Sequence, residues 1–187
     1  MSDEPDRMTL ERARRRDRPA QAVVLRAVQD RLWRVCRSLV RDRSAAEDAM
    51  QESAVRILAA LPAFDGRSRF STWATGIAVN VCREHRRHSA RSMAPLDARR
   101  HAFAAEPAAA ADELGQMYAA MARLPERQRE AVALRFLEGL DVRQTAELMG
   151  CAQGTVKASV HAGLRNLRRL MTGAAEPDGA SNKPLTL

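Results

Sequence analysis

Asp141–Leu170 reads DVRQTAELMGCAQGTVKASVHAGLRNLRRL, and its residues mark out two helices joined by a tight turn. Asp141 can cap the first helix with its side-chain oxygen, and Gln144, three residues on, completes a capping box. Gly150 suits the left-handed position that closes a helix. The second helix is predicted from about Ala152 to Met171, although Cys151 before it is a poor cap. Val156, Val160, Leu164, Leu167 and Leu170 form its inward stripe, and Lys157, His161, Arg165, Arg168 and Arg169 its outward one. This is the outline of a helix-turn-helix, whose second helix lies in the DNA major groove. Lys157, Ser159 and His161 occupy the exposed N-terminal half of that helix, where base edges come within reach. Alone, the motif fits any regulator that binds duplex DNA.

The chain has 187 residues, enough for one ordinary domain or two small ones. Hydrophobic residues make up 45% of it but aromatics only 4%, so the apolar content is mostly Ala, Leu and Val. That composition suits small helical cores, and no strand pattern survives along the chain. The expected class is all-α. Net charge is +8, and Arg supplies nearly all the positive charge, with Lys157 and Lys183 the only lysines. A polyanion is a natural partner for such a chain. Arg-rich composition also follows from codon usage in a GC-rich genome, so charge by itself does not fix the partner. Cys36, Cys82 and Cys151 are scattered, which argues against a disulfide framework and fits a reducing cytoplasm. No apolar run approaches the roughly 20 residues of a membrane helix. MSDEPDRMTLERARRRDR lacks the apolar core of a signal peptide. A cytoplasmic protein without membrane insertion is expected.

In chain order, residues 1–18 have little to bury and are expected to form a disordered basic arm. Its arginines, Arg12, Arg14, Arg15, Arg16 and Arg18, either touch nucleic acid or are simply solvated. Residues 19–90 form the first helical unit. Val24, Leu25, Val28, Leu32, Val35, Cys36 and Leu39 make one stripe. Ser44 and Glu47 have the spacing of a capping box for the next helix. That helix turns Ala49, Met50, Ala54, Ile57, Leu58 and Leu61 inward and carries Asp48, Gln51 and Glu52 elsewhere, until Pro62 ends it. PAFDGRSRF reads as a loop. The helix after it has Ser71 or Thr72 near its start, Phe70, Trp73, Ile77 and Val81 on its apolar stripe, and Asn80, Arg83, Arg86 and Arg87 toward solvent. Residues 91–111 read as a linker, 112–171 as a second helical unit, and 172–187 as a disordered tail. In the second unit Leu114, Met117, Tyr118, Met121 and Leu124 precede LPERQREAVALRFLEGL, where Pro125 suits a first-turn position.

AAEDAMQESAVRILAALPAFDGRSRFSTWATGIAVNVCREHRRH followed by LPERQREAVALRFLEGLDVRQTAELMGCAQGTVKASVHAGLRNLRRL resembles regions 2 and 4 of bacterial extracytoplasmic-function (group 4) sigma factors, of the sigma-70 family. The resemblance covers about residues 20–171 apart from the linker. It implies two small helical domains joined by a flexible linker, in a subunit that joins core RNA polymerase, recognises promoters and opens the DNA. An anti-sigma factor as a further partner is implied by the resemblance only.

The resemblance also assigns residues. Asp48, Gln51 and Glu52 match the surface for core polymerase, where charge-assisted bonds to arginines would form; the alternative is a solvated helix face. Phe64 and Asn80 match positions that capture an unstacked base of the −10 element by stacking and hydrogen bonding. Phe64 can instead fold back on the core, Asn80 can be a solvent-exposed or capping amide, and Trp73 is more readily core than a base wedge. Asp65, Gly66, Arg67 and Ser68 would form the specificity loop, and Arg83, Arg86 and Arg87 would hold phosphates. Gln153, Thr155, Lys157, Ser159, His161 and Arg165, with Arg135 from the preceding helix, match the surface for the −35 element. Two departures stand out: Gly76 occupies a position that is commonly Arg, and Ala158, Ser159, Ala162 and Leu164 replace Ser and three Arg in the recognition helix.

No catalytic residue, cofactor or metal site is expected. Cys82, His85 and His88 lie three apart on one helix, but such steps drift around it and no fourth ligand follows. Two rivals remain at this point. A stand-alone helix-turn-helix regulator would need a sensor or dimerisation unit that the first half does not suggest. A recombinase-like enzyme would need a nucleophile, and Tyr118, the single Tyr, sits on an apparent core stripe.

Overall fold

A computed structural model describes residues 4–92 and 113–172 of the chain. They form eight α-helices, and no strand occurs among them. The first four are α1 (Arg7–Arg14), α2 (Arg18–Leu39), α3 (Arg43–Ala60) and α4 (Phe70–Ser92), with a 3-10 turn, Leu61–Ala63, after α3. The second four are α5 (Glu113–Ala122), α6 (Glu126–Val132), α7 (Val142–Met149) and α8 (Gln153–Thr172). A wider π-helical turn, Ala133–Leu137, extends α6.

In the first unit α2, α3 and α4 pack pairwise and α1 lies along α2. The predicted stripe on α2 is the backbone of this core: Val24, Val28, Leu32, Val35, Cys36 and Leu39 are all buried. Ala46, Ala49 and Ile57 face them from α3, and Phe70, Ala74, Ala78 and Val81 from α4. Small alanines at the helix crossings let the backbones approach, so a core with few aromatics still closes.

The arm expected to be disordered is a correction. Asp6 caps α1 by accepting from the Thr9 amide at 2.9 Å, Ala13 is fully buried, and Leu10 packs against the core. Arg16 takes a left-handed φ of 66° in the turn to α2, and Asp17 caps α2 through the Ala20 amide. The local cue was two Asp caps in a run of arginines, too short a pattern to register as an apolar stripe. Residues 1–3 lie outside the described part of the chain. A second correction concerns α3. Asp42, not Ser44, is its cap, accepting from the Ala45 amide at 2.7 Å.

The second unit is organised by α8, which packs on α5, α6 and α7. The predicted capping box is present, with Asp141 and Gln144 bonded reciprocally and Gly150 left-handed at the end of α7. On α8, Val156 is buried as expected but Leu164 is 39% exposed. Gly163 occupies the crossing instead. A Cβ there would lie 2.7 Å from Val132 Cγ2 and 3.2 Å from the Gln128 carbonyl oxygen. α4 runs to Ser92, past the expected start of the linker at 91; residues 93–112 of that stretch and 173–187 of the expected tail lie outside the described residues.

Met121, Val132, Ala133, Leu134 and Leu140 of the second unit belong to the same apolar cluster as the core of the first. The described helices therefore meet across a continuous seam, formed by α2 against α5, α6 and the π-turn.

Gly163→Val should destabilise the folded chain by about 1–3 kcal/mol, the usual cost of overpacking, because the Gln128 backbone cannot yield without shifting α6. A thermal melt of the variant equal to that of the parent would contradict the assigned crossing.

Candidate nucleic-acid and partner interfaces

Asp48 and Gln51 stand exposed on α3, with Val55 beside them 67% exposed. Val55, one turn beyond Gln51, adds an apolar side chain to this open face. Glu52 differs. Its carboxylate is drawn across to α4, paired with Arg56 and 2.7 Å from His85 Nε2, while Arg56 also bonds Glu84 at 2.6 Å. The His85 hydrogen bond, then Arg56, holds the Glu52 carboxyl below its ordinary value, and Arg56 does the same for Glu84. Glu52 thus ties α3 to α4 rather than projecting with Asp48 and Gln51.

The loop from 64 to 69 is ordered from both sides. The Arg67 amide donates to Asp65 Oδ1 at 3.0 Å and its guanidinium reaches Asp65 Oδ2 at 3.1 Å, around Gly66 at φ 73°. Glu4 grips the other end. Its carboxylate accepts from the Phe70 amide at 2.5 Å and from the Ser71 hydroxyl at 2.9 Å, and pairs with Arg69 at 3.3 Å. The start of α4 is therefore capped by Glu4, 66 residues before it. Asp65, Gly66, Arg67 and Ser68 are all exposed.

Phe64 is not. It is 6% exposed and packs on Phe70 and Trp73 at ring-centroid distances of 5.6 and 5.0 Å. The aromatic expected to stack on a base is a pillar under the loop, edge-to-face on Phe70 and tilted on Trp73, because a cluster of three rings buries more than one ring left in water could gain. Asn80 is exposed, as expected. It lines an open groove of about 330 Å³ with Arg56, Ala60, Ile77, Arg83, Glu84 and Arg87. Apolar wall, amide and guanidinia are thereby brought together between the end of α3 and α4.

On α8, Gln153, Lys157, His161 and Arg165 are exposed at helical spacing and share one open face, whereas Thr155 and Ser159 are half-buried and lie two residues off that row, on another side of the helix. Arg135 does not join it, since its guanidinium donates to the Leu140 carbonyl at the end of the π-turn.

Buried carboxylates on α6 and the π-turn were not anticipated. Glu138, with a side chain 0% exposed, meets Arg31 at 2.9 Å and Arg34 at 3.4 Å. Glu130, 5% exposed, pairs with Arg83 and lies 3.8 Å from Arg86, which also pairs with Glu126. Arg83 further donates to the Leu148 carbonyl at 2.9 Å. Arg129 is buried beside Arg86 and Arg41, and desolvation lowers it to about 10. A lone Glu at a helix end carries no sequence signal of burial; only the preponderance of Arg hinted that some guanidinia would need internal anions.

Cys82, His85 and His88 do not converge. Cys82 faces the buried Cys36, whose hydrogen bond, together with burial, raises its thiol, and His85 is turned to Glu52. Tyr118 is 6% exposed under Arg37, 5.2 Å from its ring centroid, so its phenol is not presented as a nucleophile.

The described residues are all-helical outside their turns, with an exposed row of Gln153, Lys157, His161 and Arg165 in one unit and an open groove beside an ordered loop in the other. Comparison with known proteins narrows the class. The Sigma-70 region 2 family model matches residues 24–92 and the Sigma-70, region 4 model residues 114–167. The chain is 32% identical over 163 residues to the ECF RNA polymerase sigma factor SigC of Mycobacterium tuberculosis, covering 82% of both. It is 30% identical to the RNA polymerase sigma-H factor of Pseudomonas aeruginosa, covering 86% of this chain and 90% of that one. Its fold is similar to that of CnrH in complex with the cytosolic domain of CnrY (TM-score 0.66, 20% identity, 91% of this chain and 99% of that one). It is also similar to the sigma factor RpoE in complex with the anti-sigma factor NepR from Bartonella quintana (TM-score 0.65, 22% identity, 81% and 96%). The chain belongs to the sigma-70 family, as an extracytoplasmic-function sigma factor of RNA polymerase. It is a transcription initiation factor that gives the core enzyme its promoter specificity. No described helix is long and apolar enough to cross a membrane.

Because the folded value of Glu52 is depressed below 4.5, its pairing stabilises the fold above that pH and is lost as pH falls through the depressed value. The group is partly exposed, so the effect is at most about 1 kcal/mol. Glu52→Gln should make the decline of melting temperature on acidification shallower than in the parent; parallel declines would remove Glu52 from the account.

Proposed function

We propose that the two units divide promoter recognition. The first, residues 19–90, docks on core polymerase and captures single-stranded −10 DNA; the second, residues 112–171, reads duplex −35 DNA. The carrying observation is the groove at Asn80, where an exposed amide, the apolar flank of Ile77 and Ala60, and the guanidinia of Arg83 and Arg87 converge. An unstacked base needs such a wall and edge donors, and its phosphates need arginines nearby. Phe64 supports the loop from beneath and acts on DNA only through the placement of Asp65, Gly66, Arg67 and Ser68. The bulk of base contact then falls to Asn80 and Ile77.

Asp48 and Gln51 are the residues assigned to core polymerase, with Glu52 holding α3 in register behind them. Gln153, Thr155, Lys157, Ser159, His161 and Arg165 are assigned to the −35 element, with few arginines to specify bases; Arg135 serves by shaping the turn that positions α7. The protein acts in the cytoplasm, takes no part in covalent chemistry, and is held in reserve by an anti-sigma factor. The similarity to sigma factors solved with such partners supports that last point.

With purified core enzyme, Asn80→Ala should lower open-complex yield on the order of tenfold, the value of a good base-edge contact, and leave core binding intact. Asp48→Ala with Gln51→Ala should do the reverse, weakening core binding first. Equal promoter opening by parent and Asn80→Ala would overturn the base-capture assignment.

A further inference from the structure

An α-helix leaves its first amides without partners of its own, and a Ser, Thr, Asp or Asn at the cap ordinarily accepts from one of them. At the start of α4 that place is held by Arg69, whose carbonyl accepts from the Trp73 amide at 3.1 Å. A guanidinium has no acceptor to offer the amides. Glu4 supplies one. One of its oxygens takes the Phe70 amide at 2.5 Å, and the other takes the Ser71 hydroxyl at 2.9 Å and Arg69 Nε at 3.3 Å. The acid is half-buried, lies at the positive pole of the helix and collects three donors, which makes its bonds stronger than those of a neutral cap.

Glu4 is itself held in place. Two residues on, Asp6 caps α1 through the amide and the hydroxyl of Thr9, Leu10 packs on the core and Ala13 is buried in it. At the other end of α1, Arg14 donates to the Pro62 carbonyl at 3.4 Å. The segment 4–14 therefore touches the chain on both sides of the loop, through Arg14 before it and Glu4 after it. Phe70 links the two sides, since its amide is bound to Glu4 and its ring supports Phe64 at 5.6 Å. Between these anchors Asp65, Gly66, Arg67 and Ser68 stay exposed.

From this arrangement we infer, on the assignment of those four loop residues to the −10 element, that Glu4 is a positioning residue for promoter recognition. It acts through Arg69 and Phe70, fixing where the loop ends and so the orientation in which the loop meets the unstacked strand. It lies outside residues 19–90, to which −10 capture is assigned, so the segment ahead of the first unit is part of the specificity apparatus. Without the carboxylate, the first turn of α4 loses its acceptor and Arg69 its anchor, and the loop spreads over placements that present its side chains to the wrong bases. Asn80 stands roughly three turns further along α4 and does not depend on that first turn. Discrimination among −10 sequences should therefore fall before promoter opening does.

The test uses the full-length chain with core enzyme and a pool of duplex fragments randomised over the −35 and −10 segments, from which heparin-resistant complexes are recovered and sequenced. Glu4→Ala should lower the enrichment of preferred over other −10 bases by about fivefold, the effect of losing one helix cap, and leave −35 enrichment at the parent level. Glu4→Gln keeps an oxygen for the Phe70 amide and should stay within about twofold of the parent. A variant that is merely less well folded would yield fewer complexes with both enrichments unchanged. That result, or −10 and −35 enrichment falling together, overturns the inference. Asp65→Ala with Arg67→Ala separates it from the reading beneath it. If that pair leaves −10 enrichment unaltered, the assignment of the loop fails and the role of Glu4 with it. If the pair alters −10 enrichment and Glu4→Ala does not, the positioning role alone is refuted and the loop keeps its assignment.

Discussion

Two buried carboxylates, Glu130 and Glu138, hold the described helices in one arrangement. A chain with 31 Lys and Arg against 23 Asp and Glu cannot leave every guanidinium in water and still close a core. Those at the seam need anions, since an unpaired charge removed from water costs several kcal/mol. Glu138 answers Arg31 and Arg34 from α2, and Glu130 answers Arg83 and Arg86 from α4. The apolar contact between the units is built from modest side chains, such as Val132, Ala133 and Leu134. Charge pairing with directional guanidinia therefore sets the register in which that contact forms.

The demands on α4 follow from its helical period. Phe70, Ala74, Ala78 and Val81 face the core, Asn80 and Arg87 face the groove, Gly76 and Arg86 face the second unit, and Arg83 lines the groove while also reaching Glu130 and Leu148 of the second unit. One helix of 23 residues thus presents a packing face, a ligand face and a partner face. Glu52 and Glu84, bridged by Arg56, fix its rotation against α3. That rotation decides whether Asn80 reaches the groove at all, which is why a pair formed well away from DNA still belongs to the functional description.

What could be read from the chain was local. Asp141, Gln144 and Gly150 specify their helix by contacts within ten residues, and the α2 stripe announces its own buried face. The all-helical class, the exposed row of Lys157, His161 and Arg165, and the exposed Asn80 follow from the same periodicity. What escaped reading was made by distant partners. Phe64 looked free because its loop is polar, but Phe70 and Trp73 arrive beneath it. Ser44 looked like a cap because its spacing to Glu47 is right, but Asp42 reaches the amides first. α1 was hidden because its one fully buried residue is an alanine. Gly76 registered as a departure from the expected pattern, and its reason, Leu148, lies 72 positions away in another unit.

Glu4 raises a separate question of timing. Its carboxylate caps a helix that begins 66 residues later, at Phe70. A ribosome delivers Glu4 first and α4 last, so the first unit has no native start for α4 until most of that unit has left the exit tunnel. Closing a loop of that length costs entropy that only the assembled α2–α3 core can offset. The segment around Glu4 thus acts as a clasp fastened only once α4 has been made, and a change near Glu4 would be felt at the loop of residues 64–69.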